Sequence, residues 1–279
     1  VRLLVAIVLG VVEGLTEYLP VSSTGHLILA AWMLGLGDDP ARWDSAFTFE
    51  IVIQAGAIAA VLGLYRRRVA SMARGLLGRD DEGRRLATRL LVAFLPALVL
   101  GLPLGSLAER HLNGPWPVVA ALFVGGVLLL VLGRRVALRH ADGARLEDLT
   151  VRHALLVGLL QCVAMWPGTS RSMMTIGTAL VLGYRPAAAA EFSFLLALPT
   201  LGAATAYKAW TDGAEMVGTF GLAPVVAGFA AAFASAAVAV RWLVGFLDRR
   251  GVAPFGVYRI AVAIVVAALL LARVLDVPA

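Results

Sequence analysis

Six stretches of about twenty mostly apolar residues recur along the chain, near 47–65, 87–107, 116–133, 187–207, 222–243 and 255–275. Runs of that length are what a helix needs to cross a bilayer, where only helices and closed barrels satisfy their own backbone. They predict an all-α polytopic membrane protein with about six transmembrane helices. Composition agrees: 60% of the 279 residues are hydrophobic and 15% charged, with a mean hydropathy of +0.87, outside the range of a water-soluble domain. A chain this apolar has no separate soluble half, so a single membrane domain over 1–279 is expected. Cys162 is the only cysteine, which excludes a disulfide framework and a zinc ribbon, and four scattered histidines form no His-rich metal cluster. Residues 3–12 run into acidic residues instead of a small-residue cleavage site, which argues against a cleavable signal peptide.

Two further apolar regions are interrupted in the middle. The first runs 3–12, then Glu13-Gly14-Leu15-Thr16-Glu17-Tyr18-Leu19-Pro20-Val21-Ser22-Ser23-Thr24-Gly25-His26, then 27–36. The second runs 154–166, then Pro167-Gly168-Thr169-Ser170-Arg171-Ser172, then 173–182. Each half is too short to cross a bilayer alone, so each pair reads as a re-entrant helix-turn-helix, with Pro20 and Pro167 ending the descending helices and Ser or Thr capping the returning ones.

Arginine placement sets the orientation. Arg66, Arg67, Arg68, Arg74, Arg79, Arg84, Arg85 and Arg89 lie between the first two spans, Arg134, Arg135, Arg139, Arg145 and Arg152 follow the third, and Arg249 and Arg250 separate the last two. These loops are expected on the cytoplasmic side, and the loops near 109–114 and 208–219 outside. Both termini then fall outside, and the two hairpins enter from opposite faces with their tips near the midplane. The net charge of +6 is thus spent on loops flanking spans, which excludes a nucleic-acid reading.

An internal repeat supports this map. Pro20-Val21-Ser22-Ser23 precedes Pro167-Gly168-Thr169-Ser170 by 147 positions, and Phe47-Thr48-Phe49 precedes Phe192-Ser193-Phe194 by 145. The expected halves are 1–135, with a hairpin at 1–37 and three spans, and 150–279, with a hairpin at 152–183 and three spans. An odd number of crossings inverts the second half, and inverted repeats place binding sites at their interface.

Glu13 and Glu17, four apart, share one face of a half-helix. A carboxylate at membrane depth costs roughly 2.5–3.5 kcal/mol and two repel, so a shared proton, a divalent cation or a cation such as His26 or Arg171 must compensate, unless the helix lines a hydrated opening. Ser22, Ser23, Thr24 and Gly25 offer hydroxyls and N–H groups at one returning helix; Gly168, Thr169, Ser170 and Ser172 do so at the other, where Arg171 adds a planar fork suited to phosphate oxygens. Two opposed anion sites point to a phosphate ligand. His26, a turn into the returning helix, offers a base, a nucleophile or a packing contact. Glu50, Gln54 and Glu191 lie in or beside predicted spans, as weaker polar contacts to the site or solvated helix ends. His111, His140 and His153 fall in expected loops.

The stretch from Glu13 to His26 and the run from Pro167 to Ser172 resemble the two signatures of the undecaprenyl-pyrophosphate phosphatase family, also called the bacitracin-resistance family. The likeness extends to Phe49-Glu50-Ile51-Val52-Ile53-Gln54, Ala190-Glu191-Phe192-Ser193-Phe194-Leu195-Leu196 and Tyr258-Arg259-Ile260, and departs at Met173-Met174, where Gly-Ala is commoner. The resemblance implies a multi-pass bacterial inner-membrane enzyme, its site open to the periplasmic face, that hydrolyses undecaprenyl pyrophosphate to the monophosphate carrier used for peptidoglycan. It implies a polyprenyl pyrophosphate substrate among membrane lipids, a divalent cation, Mg²⁺ or Ca²⁺, held by Glu13 and Glu17, and no nucleic acid; a homodimer stays open. On it, Arg171 takes the phosphate oxygens, Glu13 and Glu17 hold the cation or move protons, and Ser23 attacks phosphorus after activation by His26; attack by His26 or by water is the alternative. The same inverted-repeat plan also suits a transporter or flippase of a phosphorylated lipid.

Overall fold

Helix is the only repeating structure among the described residues, apart from one isolated bridge between Ala144 and Tyr184. A computed structural model describes residues 3–36, 40–112, 114–136 and 143–273. Its helices are α1 (Leu3–Thr16), α2 (Ser23–Met33), α3 (Pro40–Leu64), α4 (Arg66–Leu76), α5 (Asp81–Leu112), α6 (Pro115–Val136), α7 (Val151–Gln161), α8 (Arg171–Val181), α9 (Pro186–Phe220), α10 (Leu222–Arg250) and α11 (Ala253–Leu271). The six expected spans fall on α3, α5, α6, α9, α10 and α11. Of these, α6, α9, α10 and α11 contain stretches long and apolar enough to cross a membrane, with α6 the most apolar. α3, with 25 residues, and α5, with 32, have the length of a span but are less apolar, α3 contributing the shorter apolar stretch Val52–Leu64 and α5 carrying Pro96 and Pro103 within it. This is a helical integral membrane protein. Bulky apolar side chains such as Phe123 and Val124 on α6 and Ile264 and Val265 on α11 stand exposed, as lipid contact requires.

The interrupted regions form broken helix pairs. The 14 residues of α1 rise roughly 21 Å and the 11 each of α2, α7 and α8 roughly 17 Å, all short of a core about 30 Å thick. The break comes later than the sequence suggests: α1 continues through Glu13 to Thr16, and Glu17 still donates its N–H to the Glu13 carbonyl at 2.8 Å. The returning helices start at matching points. Ser22 caps α2 and Ser170 caps α8, 148 positions apart, one more than the motif spacing, so Ser23 corresponds to Arg171 rather than to Ser170. Both caps sit in the left-handed region, at φ 75° and 76°, with the side-chain oxygen accepting from Gly25 N–H and Met173 N–H.

Three regions expected as loops are helical. The arginine-rich connection contains α4, α5 runs on to Leu112, and α9 continues through 208–219. Lys, Arg and Glu propagate a helix as well as apolar residues do, so charge marks where the bilayer ends, not where the helix ends. His111 therefore lies in α5, and His153 in the first turn of α7, bonding the Tyr184 hydroxyl at 2.8 Å; His140 and both chain ends fall outside the described residues.

The broken helix pairs pack on long helices distant in sequence: α1 lies along α10, and α7 along α5. Helices in lipid associate through close contact of small residues. Gly14 of α1 faces the Ala232 carbonyl of α10, and Gly158 of α7 faces the Ala93 carbonyl of α5, each with no room for a Cβ.

Candidate active site

The two turns meet, and Glu17 is one point of contact between them. Its Oε2 accepts from Ser23 Oγ at 2.7 Å and its Oε1 from Arg171 Nη2 at 3.1 Å, so one carboxylate joins the first residues of both returning helices. The ion pair is largely buried, with side chains 7% and 12% exposed. Arg171 Nη1 donates to the Ser193 carbonyl on α9 at 2.9 Å, and the guanidinium lies 5.8 Å from the centre of the Tyr18 ring. Tyr18 is fully buried, anchored through its hydroxyl to the Ala57 carbonyl at 3.0 Å and edge-on to Phe194. Arg171 Nε is buried without a partner.

Glu13 is fully buried one turn before Glu17, and neither carboxylate oxygen has a hydrogen-bond partner. The charges of Glu17, Glu50 and Arg171 all act on it. Glu50, partly buried on α3, lies within reach of the Glu17 and Lys208 charges. Unpartnered acceptors on Glu13 thus accompany an unpartnered donor on Arg171, a departure from the usual pairing of buried polar groups.

The remaining expected site residues divide. Ser172 is fully buried and donates to the Leu19 carbonyl at 2.8 Å, with Ser170 Oγ 3.0 Å away; its hydroxyl braces one turn against the other and is not presented to a ligand. The Ser22 and Ser170 hydroxyls are occupied as caps. Thr24, Gly25 and Thr169 lie at the same two helix starts, Gly25 and Thr169 buried and Thr24 partly exposed. His26 does not reach Ser23, contrary to the expectation that it activates that serine. Its Nδ1 lies 2.7 Å from the Ser22 carbonyl, which only accepts, so Nδ1 carries the proton. In the neutral ring Nε2 then accepts from the Tyr258 hydroxyl, also at 2.7 Å. Gln54 accepts from Thr205 at 2.7 Å, tying α3 to α9. Glu191 lies elsewhere: it pairs with Arg68 at 2.9 Å, beside Glu82 and Glu147, on the arginine-rich side.

Arg259, noticed in the sequence only as part of a short likeness, holds the site together. It is fully buried in α11, and Nη2 donates to the Gly168 carbonyl of one turn and the Ala121 carbonyl of α6, both at 2.9 Å. Nη1 reaches the Pro20 carbonyl of the other turn at 3.4 Å, and Nε that of Leu122 at the same distance. Gly125 leaves space for the guanidinium, which a Cβ there would strike. Gly168 meets the turn with φ 91°, closed to other residues at low cost and too near Val118 for a side chain. The available signal was an arginine inside an apolar span, expensive in lipid unless bonded.

The arrangement of acids, serine and arginine between two broken helices accompanies a match over residues 6–265 to the family described as "Bacitracin resistance protein BacA". The chain belongs to the BacA family. Among its relatives, the undecaprenyl-diphosphatase of Sorangium cellulosum is 47% identical over 258 residues, covering 92% of this chain and 82% of that one. Undecaprenyl-diphosphatase 2 of Rhodospirillum rubrum is 46% identical over 270 residues, 96% of this chain and 95% of its own length. The undecaprenyl-diphosphatase of Variovorax paradoxus is 43% identical over 272 residues, with the same coverage of both chains. The family match, from residue 6 to residue 265, takes in both broken helix pairs and every residue of the site described above.

Proposed function

We propose that this chain is an undecaprenyl-diphosphatase, hydrolysing undecaprenyl pyrophosphate to undecaprenyl phosphate and inorganic phosphate in the bacterial inner membrane. The observation that carries the reading is the shared Glu17 carboxylate, which joins a serine hydroxyl from one hairpin to an arginine from the other. Such a site has a nucleophile, a proton acceptor and a phosphate-binding cation within one carboxylate's reach. The hairpins are re-entrant, belong to the inverted halves 1–135 and 150–279, and open to the periplasmic face, opposite the arginine-rich loops.

Ser23 Oγ attacks the terminal phosphorus as its proton passes to Glu17 Oε2. The new Oγ–P bond replaces the bond to the bridging oxygen, which departs with undecaprenyl phosphate. Glu17 then returns the proton to Ser23 as water, giving its own proton to the departing phosphate, cleaves the phosphoserine. Arg171 presents Nε to a phosphate oxygen and keeps its Nη contacts to Glu17 and Ser193. His26 takes neither role: its Nε2 lone pair is engaged by Tyr258, so it holds the start of α2 in place.

The residues fit a divalent cation of the Mg²⁺ or Ca²⁺ kind, since Glu13 offers two buried unpartnered oxygens beside Glu17. No cluster of three His, Cys, Asp or Glu donors that could hold a metal occurs among the described residues, so the diphosphate would supply further ligands, as is usual for Mg²⁺. When bound, the cation would offset charge on the diphosphate oxygens. The test is phosphate release from undecaprenyl pyrophosphate by purified protein in detergent, with and without chelator. Release that stops on chelation and returns with Mg²⁺ or Ca²⁺ is expected; absence of release under every metal condition would refute the reading.

A further inference from the structure

Away from the candidate active site, a ligand-sized concavity opens on the arginine-rich side, between the end of α3, the start of α4 and the middle of α10. Its volume is about 600 Å³, within the range of small-ligand sites. Its rim carries Arg66, Arg67 and Arg241, and its lower wall Gly63, Phe233 and Ala237. Arg68, also on the rim, is paired with Glu82, Glu147 and Glu191. None of the other three arginines has an acidic partner among the described residues. Three exposed like charges around one hollow, none with an acidic partner, make it a cationic surface that an anionic group would offset.

The hollow also has a direction. Phe233, Ala237 and Arg241 are spaced four apart on one face of α10, so the wall changes from apolar to cationic along a single stripe. Trp242, half exposed and packed on Phe246, follows Arg241 and marks the depth of the headgroups. Gly63 is exposed, and a Cβ there would meet nothing within 4 Å, so the wall is open where a chain would lie.

We infer that this groove seats an anionic phospholipid of the leaflet on the arginine-rich side, its phosphate among Arg66, Arg67 and Arg241 and an acyl chain along Gly63 and Phe233. A free phosphate would leave the apolar wall bare, and a zwitterionic lipid would leave the three charges uncompensated. Each basic residue near a membrane surface contributes about fivefold to anionic-lipid binding, so selectivity over phosphatidylcholine of about tenfold or more is expected.

The experiment is native mass spectrometry of the purified full chain, titrated with phosphatidylglycerol, phosphatidylcholine of the same chains, or inorganic phosphate. Phosphatidylglycerol should be retained about tenfold more strongly than phosphatidylcholine. The triple variant Arg66→Gln, Arg67→Gln, Arg241→Gln should erase that preference, and Gly63→Leu, which keeps every arginine, should lower phosphatidylglycerol retention by filling the groove. Equal retention of both lipids in the parent would overturn the inference. So would an unaffected Gly63→Leu protein, which would mean diffuse surface charge, or displacement of phosphatidylglycerol by millimolar inorganic phosphate, which would mean a phosphate site.

Discussion

The hairpin of α1 and α2 and the hairpin of α7 and α8 turn in nearly the same way but carry opposite chemistry. Both returning helices have 11 residues and start from a serine cap with left-handed φ. At the first helical position one has Ser23 and the other Arg171. At the position of Glu13 on α1, α7 has Gln161, whose amide donates to the Ala93 carbonyl at 2.8 Å. The first hairpin therefore carries acids and a hydroxyl, the second a cation and a neutral amide. Two identical halves would juxtapose either two acidic groups or two arginines; divergence makes one neutralised site from a repeated scaffold.

Exchanging the distinctive group of either hairpin should have the largest effect. Ser23→Ala removes the attacking hydroxyl and Arg171→Lys the planar fork, and each should cut phosphate release by about 10²-fold or more with the fold intact in detergent. An Arg171→Lys protein that melts early while its folded fraction turns over normally would make that arginine a brace. Glu13→Gln makes the two halves alike at this position. It should lower turnover by about 10²-fold and raise the cation concentration needed, read from metal titrations of phosphate release.

A different test addresses what the hairpins share. Arg259 bonds the Pro20 carbonyl of one turn and the Gly168 carbonyl of the other, so Arg259→Gln should loosen both together. Losing charged hydrogen bonds of about 1.5–3 kcal/mol each should lower the melting temperature clearly, and activity with it. An unchanged melting curve would leave the turns held by other contacts.

The smallest effect lies far from either turn, where Arg68 binds three carboxylates. Its guanidinium holds the Glu147 carboxyl below the ordinary glutamate value. A lowered folded value means that this contribution is complete above the ordinary glutamate range and fades as pH falls through the lowered one. Glu147 is 41% exposed, so Glu147→Gln should cost less than about 1 kcal/mol near neutrality and nothing in strong acid, read from melting at several pH values.

Much of the site was legible because lipid penalises what the motifs contain. Glu13, Glu17 and Arg171 stand out in apolar sequence, and prolines and serines mark the turns. Which groups touch was harder to read. His26 looked a natural partner for Ser23, but its two ring nitrogens are engaged by the Ser22 carbonyl and the Tyr258 hydroxyl, while Glu17 folds back across the turn to the serine. Glu191, expected from its place beside a span as a weaker polar contact or a solvated helix end, pairs with Arg68 on the arginine-rich side. The role of Arg259 was not legible because its partners are backbone carbonyls from three distant segments, which leave no side-chain pattern. The helices α4 and the far end of α9 were missed because hydropathy reports the bilayer and not the backbone.

The central claim is that Glu17 and Arg171, from different hairpins, act as one unit. The direct measurement is a double-mutant cycle on phosphate release with Glu17→Gln, Arg171→Gln and the combined variant, each confirmed folded by its melting curve. Residues of one catalytic unit are strongly non-additive. The double variant should therefore be no more than about threefold slower than the worse single one. Single effects that multiply in the double variant would mean that the two hairpins contribute independently, and would contradict the account.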